Sequence, residues 1–127
     1  MISEVQVREF LDDYIASFSD LSGASMAGLY SLPSVMTRAD GSVYGFTSPE
    51  EARATLARVT QAYQEQGARS WRFDRLATVP IGSRSVLATV EWHMLGAEGS
   101  VLKRWQHSYN LIDTPLGLRI LAATYNY

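Results

Sequence analysis

Two stretches decide the fold: Ser85-Val86-Leu87-Ala88-Thr89-Val90-Glu91-Trp92-His93-Met94-Leu95 and Leu102-Lys103-Arg104-Trp105-Gln106-His107-Ser108-Tyr109-Asn110-Leu111-Ile112. Both alternate with a period of two, the signature of strands with one buried face. In the first, Val86, Ala88, Val90, Trp92 and Met94 share a face. In the second, Trp105, His107, Tyr109 and Leu111 do. Folding the pair at about Glu98 sets Trp92 opposite Trp105, Val90 opposite His107 and Ala88 opposite Tyr109. It also sets His93 opposite Arg104 and Glu91 opposite Gln106. Both apolar sets then lie on one side of the sheet, so pattern and register agree. A slip of two residues would keep the faces and change the partners.

Working outward, two further strands are expected near Ser70 to Val79 and Leu118 to Tyr127. The connections Pro80-Ile81-Gly82-Ser83, Gly96-Ala97-Glu98-Gly99 and Asp113-Thr114-Pro115-Leu116-Gly117 are short, which predicts an antiparallel meander. The first third reads as helix. Val7, Phe10, Leu11, Tyr14, Ile15 and Phe18 recur at three- and four-residue spacing, with Arg8, Glu9, Asp12 and Asp13 on the other face. A second short helix is predicted to carry Met26, Leu29 and Tyr30 and to end at Pro33, followed by a short strand from Ser34 to Arg38 and a turn at Asp40-Gly41. Ser48-Pro49-Glu50-Glu51 supplies an N-cap hydroxyl, proline at the first helical position and a glutamate to complete a capping box. The helix it opens carries the stripe Ala52, Leu56, Val59 and Tyr63, and Gly67 suits a left-handed exit. Helices first and strands afterward predict an α+β fold, with the N-terminal helices packed on a curved, mainly antiparallel sheet and residues 1–127 forming one domain.

Composition narrows function by exclusion. A length of 127 residues with 46% apolar and 19% charged residues fits an ordinary globular core and argues against disorder. The net charge of −2 is spread along the chain with no basic stripe, so nucleic acid is not an expected partner. The absence of cysteine removes disulfides, thiolate metal sites and a cysteine nucleophile, and two histidines with scattered acids give no metal-ligand spacing. No phosphate-binding glycine loop, dinucleotide fingerprint or nucleophile elbow is present. No apolar run approaches a membrane span and the first residues are charged early. The expectation is a cytoplasmic protein without metal or cofactor.

The stretches Asp13-Tyr14-Ile15, Met26-Ala27-Gly28-Leu29-Tyr30 and Gly45-Phe46-Thr47-Ser48-Pro49-Glu50-Glu51-Ala52-Arg53, in the order helices, capped helix and long meander, resemble the nuclear transport factor 2-like superfamily, the cystatin-like α+β cone. The resemblance covers nearly the whole chain and rests on architecture. Ketosteroid isomerases and SnoaL-type polyketide cyclases share that superfamily. Ketosteroid isomerase pairs an aspartate base with an oxyanion hole of tyrosine and protonated aspartic acid. The resemblance puts Tyr14 at the family's helix-1 tyrosine, with Tyr30 in step. It puts Arg38 or Met36 where the base belongs and Ser108 or Tyr109 where the second acid belongs. Asp40 lies nearby with the right parity but in a turn. The acid pair is missing, so steroid isomerisation is not the expected activity.

Two function classes follow. In the first, the concave face holds a half-apolar pocket for a small, mostly apolar, cyclic molecule. His107 and Tyr14 are the candidate catalytic groups of an acid–base isomerase, cyclase or lyase, and Trp92, Trp105, Tyr109, Met36, Arg38 and Tyr30 are the candidate ligand-binding residues. In the second, the pocket is vestigial and the domain is a non-catalytic dimerisation or partner-binding module. In either class the outer sheet face, with Leu87, Thr89, Glu91, His93, Leu95, Arg104, Gln106 and Ser108, is the expected homodimer surface. His93 on that face is expected to be solvated or at the subunit contact.

Overall fold

The computed structural model of the chain describes residues 1–126. Helix α1 (Glu4–Ser17) opens with a reciprocal capping box, in which the Ser3 hydroxyl accepts from the Gln6 amide and the Gln6 side chain accepts from the Ser3 amide. Its face Val7, Phe10, Leu11 and Tyr14 is buried, as the spacing predicts. Asp20 then gathers the backbone and hydroxyl donors of Ser22 and Ser25 at 2.7–3.1 Å, which holds its carboxyl well below the usual carboxylate range. The short helix α2 (Ala24–Ala27) follows from Gly23, a position only glycine suits. Its φ is +77°, and a Cβ there would stand 2.5 Å from both the Ala57 nitrogen and the Arg53 oxygen.

The predicted second helix is too long. It stops at its C-cap Gly28, and Tyr30 opens strand β1 (Tyr30–Thr37), so Pro33 lies inside a strand instead of ending a helix. The strand tolerates proline because its pairing breaks there. The first neighbour bonds only from Ser34 onward, and the register with the second is interrupted between Tyr30 and Val35. β1 ends one residue before Arg38. Strand β2 (Val43–Phe46) was not expected. It pairs Met36 with Tyr44 across the turn at Asp40-Gly41, and its shortness hid the alternation.

Helix α3 (Pro49–Glu65) is capped by the Ser48 hydroxyl, which accepts from the Glu51 amide. The Glu51 carboxylate bonds the Thr47 amide, one residue earlier than the expected box. Gly67, at φ +101°, lets the Ala68 amide reach the Tyr63 carbonyl and its own amide reach Gln64, the two bonds of a Schellman exit. Thr60, not Val59, shares the fully buried stripe with Ala52 and Leu56.

Strands β3 (Ser70–Ile81), β4 (Ser85–Leu95), β5 (Val101–Thr114) and β6 (Gly117–Asn126) form the meander. The expected β4–β5 pairs are all present, including Trp92 with Trp105, Val90 with His107 and Ala88 with Tyr109. The six-stranded order is β2-β1-β6-β5-β4-β3, with one parallel pairing, β1 with β6. Register irregularities at Asp74–Ala77, Met94–Leu95 and Asn110–Leu111 bend the long strands. The fold is therefore α+β, with three helices against a mainly antiparallel, open sheet. The last predicted strand extended to Tyr127, which lies outside the described residues. Among the described residues no helix is long and apolar enough to cross a membrane.

His93 corrects one expectation. It is 5% exposed, not solvated. Arg72 and Arg104 flank it on the adjoining strands, and Glu91 Oε1 takes its Nε2 at 2.8 Å. A mid-sheet position, with a strand on each side, shields the ring more than strand parity alone suggests.

Candidate functional site

The sheet curves around a cavity of about 300 Å³, roofed by α1 and α3. All eight residues singled out from the sequence line it: Tyr14, Tyr30, Met36, Arg38, Trp92, Trp105, His107 and Tyr109. A larger depression of about 690 Å³ lies between the ends of α1 and α3 and the start of β3, and none of the eight borders it. Phe18 and Tyr63 border both spaces.

At the buried end, three phenols meet. The Tyr14 and Tyr30 hydroxyls are 3.3 Å apart, and Trp92 Nε1 donates to the Tyr109 hydroxyl at 2.8 Å. Helix spacing brings Tyr14 inward, the first residue of β1 supplies Tyr30, and the β4–β5 register sets Trp92 within reach of Tyr109. Burial raises the pKa of all three phenols above its ordinary value. The hydroxyls of Tyr30 and Tyr109 partly offset this at Tyr14, by favouring negative charge on its oxygen. Tyr14 in turn raises the pKa of both neighbours. Tyr14 thus stands at the centre of the cluster, and all three phenols are neutral at pH 7.

His107 stands on the same wall, its ring stacked 4.7 Å from that of Tyr109. Trp105 Nε1 donates to His107 Nδ1 at 3.2 Å. An indole nitrogen can only donate, so Nδ1 accepts and the neutral ring carries its proton on Nε2. Burial pushes the imidazole pKa down to about 4. The ring is neutral at pH 7, a hydrogen-bond donor through Nε2 and a weak base.

Toward solvent the lining changes character. Trp105 and Tyr125 stack at 5.7 Å with nearly parallel planes, and Lys103 Nζ lies 5.2 and 5.6 Å from the two ring centres. Arg38 sits 4.1 Å over the Tyr44 ring. Asp40, by contrast, is fully exposed in its turn, where its carboxylate accepts from the Ser42 amide at 2.8 Å, and it does not border the cavity. Among the described residues no carboxylate lines this space, and no cluster of three or more metal-ligating side chains exists.

Sequence reasoning missed Lys103, Tyr125 and Tyr44 as lining residues. Lys103 has the parity of Trp105 and His107, a signal that was available. Tyr125 lies opposite His107 in a β5–β6 register that was not worked out, and Tyr44 belongs to the unexpected strand β2. Tyr63 was seen only as part of an apolar stripe.

Comparison with known proteins gives the same architecture. A family described as NTF2-like protein (DUF6841) matches residues 3–126. No curated protein matches the chain. Among solved structures, Aln2 from a Streptomyces species superposes with a TM-score of 0.75 at 18% identity, over 99% of this chain and 93% of that one. A candidate ketosteroid isomerase from Shewanella frigidimarina gives 0.70 at 14%, over 97% and 96%. A domain of unknown function with a cystatin-like fold from Nostoc punctiforme gives 0.71 at 16%, over 97% and 75%. At these identities the superpositions speak for the fold alone. The family match spans nearly the whole chain, and the protein belongs to the NTF2-like family DUF6841.

Proposed function

We propose that the chain binds a small, mostly apolar, cyclic molecule in the cone cavity and holds an acceptor oxygen of that molecule on neutral donors. The observation that carries this reading is the phenol cluster at the buried end. Whichever hydroxyl donates between Tyr14 and Tyr30, the three phenols carry one proton more than the contacts among them use, and that proton is left to donate into the cavity. Preorganised neutral donors in a water-poor site polarise a carbonyl without a change of protonation state. His107 Nε2 is a second donor of the same kind. Proton abstraction fits less well, because the histidine is a weak base and no carboxylate among the described residues lines the cavity. The aromatic walls supply affinity by removing apolar ligand surface from water, worth roughly 25 cal/mol per Å² before the costs of binding.

The test is a titration with the bicyclic ketone 1-tetralone, followed by tryptophan fluorescence. Saturable binding that weakens about three- to tenfold in Tyr14→Phe, the worth of one neutral hydrogen bond, is the expected result. Equal affinity in the variant would remove Tyr14 from the role, and no binding at millimolar ketone would remove the reading.

A second, compatible reading concerns assembly. One apolar row crosses the outer face of the sheet. Val35, Ala122, Leu87 and Val79 follow one another through the strand registers, interrupted only by Asn110. Val35, Leu87 and Val79 are 45, 37 and 57% exposed. A self-complementary apolar strip of this kind suits a two-fold homodimer through the outer face.

A further inference from the structure

The polarity of the cavity runs in one direction, and it specifies the ligand more narrowly than size and apolarity do. The buried end offers only neutral donors: the Tyr14, Tyr30 and Tyr109 phenols and the His107 imidazole. Among the described residues, the only charged side chains lining the space are Lys103 and Arg38, both cationic and both on the solvent side. Each is held over an aromatic ring that also borders the cavity, Lys103 over Trp105 and Arg38 over Tyr44. Neither makes an ion pair among the described residues. Asp40, whose carboxyl feels the Arg38 charge, is occupied with the Ser42 amide and lies off the lining. A cation pinned to a ring keeps its position without being neutralised, so the mouth carries positive charge, which the nearby Asp40 offsets only in part at Arg38, in a protein whose net charge is −2.

Resting on the reading of this cavity as a ligand site, we infer that its ligand is a planar aromatic carboxylate, seated with a ring oxygen or carbonyl on the buried phenols and its carboxylate at the cationic mouth that Lys103 and Arg38 line. The volume of about 300 Å³ stands at the lower end of the range of about 300–1,000 Å³ for ligand sites, which suits a one- or two-ring molecule. A flat ring suits a cavity walled largely by aromatic side chains, among which Trp105 already stacks on Tyr63 and Tyr125. A carboxylate suits either cation, bidentate toward the guanidinium or as a point contact toward the ammonium. The opposite orientation would bury the anion against neutral groups and leave both cations unanswered.

The experiment compares 6-methoxy-2-naphthoic acid, whose ether oxygen can face the phenols, with its neutral isostere 2-acetyl-6-methoxynaphthalene by isothermal titration at pH 7 and low ionic strength. The naphthoate should bind roughly three- to tenfold more tightly, the scale of screened contacts to partly exposed cations, and the advantage should shrink on adding 0.5 M NaCl. The double substitution Lys103→Gln and Arg38→Gln should abolish the advantage while leaving the affinity for the neutral ketone within about twofold. Both positions are exposed, so the variant keeps the core, and its far-ultraviolet circular dichroism and Tm confirm that it has folded. Equal or weaker binding of the naphthoate, or a parallel loss of both ligands in the variant, overturns the carboxylate assignment and leaves the apolar site standing. Binding of neither molecule overturns both.

Discussion

The neutral imidazole of His107 has a consequence that can be measured without knowing any ligand. The unfolded chain takes up a proton on this ring as the pH falls through about 6.5, its ordinary value, whereas the folded chain does so only near 4. Between those values unfolding binds a proton, so stability falls as the pH drops from 6.5 to 4. Below 4 the group contributes no further slope. At pH 4.5 the accumulated loss is roughly 2.5 kcal/mol relative to pH 7.5, at about 1.4 kcal/mol per pH unit across the gap. Carboxylates with lowered pKa values, such as Asp20 and Asp40, lose their contribution as the pH falls below about 3.9, outside this window. Urea unfolding at pH 7.5 and 4.5, followed by tryptophan fluorescence on the wild type and on His107→Gln, isolates the effect. The variant should be less stable at pH 7.5, because the imidazole's stacking on Tyr109 and the fixed Nδ1 acceptor for Trp105 Nε1 are lost. Its acid sensitivity between the two pH values should be smaller than the wild type's by about 2 kcal/mol. Equal acid sensitivity in the two proteins would refute the assignment of His107 as a buried, neutral ring, and with it the tautomer on which its donor role depends.

Other expected outcomes follow from the same geometry. Gly23→Ala should cost about 2–4 kcal/mol, since it combines a positive φ with a Cβ driven into the backbone of α3. Gly41→Ala, also at positive φ but with nothing within 4 Å, should cost only about 1 kcal/mol, and chemical denaturation of the two variants tests the contrast. Spectrophotometric titration at 295 nm should show Tyr14, Tyr30, Tyr44, Tyr63 and Tyr109 ionising above the ordinary phenol value. Because the unfolded phenols release protons first, stability should fall above pH 10, and ionisation of all the phenols near pH 10 in folded protein would contradict the buried cluster. Leu87→Arg should convert a dimer to monomer in light scattering at micromolar concentration, while a wild-type monomer at that concentration would end the outer-face proposal.

The long strands were legible because a period of two, read against a short turn, fixes both face and register. Alternation alone sets Trp92 opposite Trp105 and His107 on the inner wall. The region around Tyr30 was not legible for a physical reason. Met26, Leu29 and Tyr30 keep helical spacing, yet Gly28 ends the helix and the sheet recruits Tyr30 as the first residue of β1. Proline at position 33 reads as a helix terminator, while the structure uses it where β1 has no regular partner. His93 illustrates the limit of parity: alternation assigns a face, but burial depends on how many strands and long side chains flank the position. At the mouth Arg38 was legible and Lys103 shares the parity of Trp105, but Tyr125 on β6 and Tyr44 on β2 escaped, because no local pattern joins their strands to β5 and β1.

The central claim is that the cone cavity, not the larger depression beside it, is where a small molecule binds. The three indole N–H groups give a direct readout in a nitrogen-15 correlation spectrum. Trp92 and Trp105 line the cavity and donate to Tyr109 and His107, whereas Trp71 borders the neighbouring depression. On titration with 1-tetralone, the Trp92 and Trp105 indole resonances should move together along one saturable curve, with Trp71 shifting less. Shifts dominated by Trp71, or none in any indole at millimolar ketone, would contradict the account.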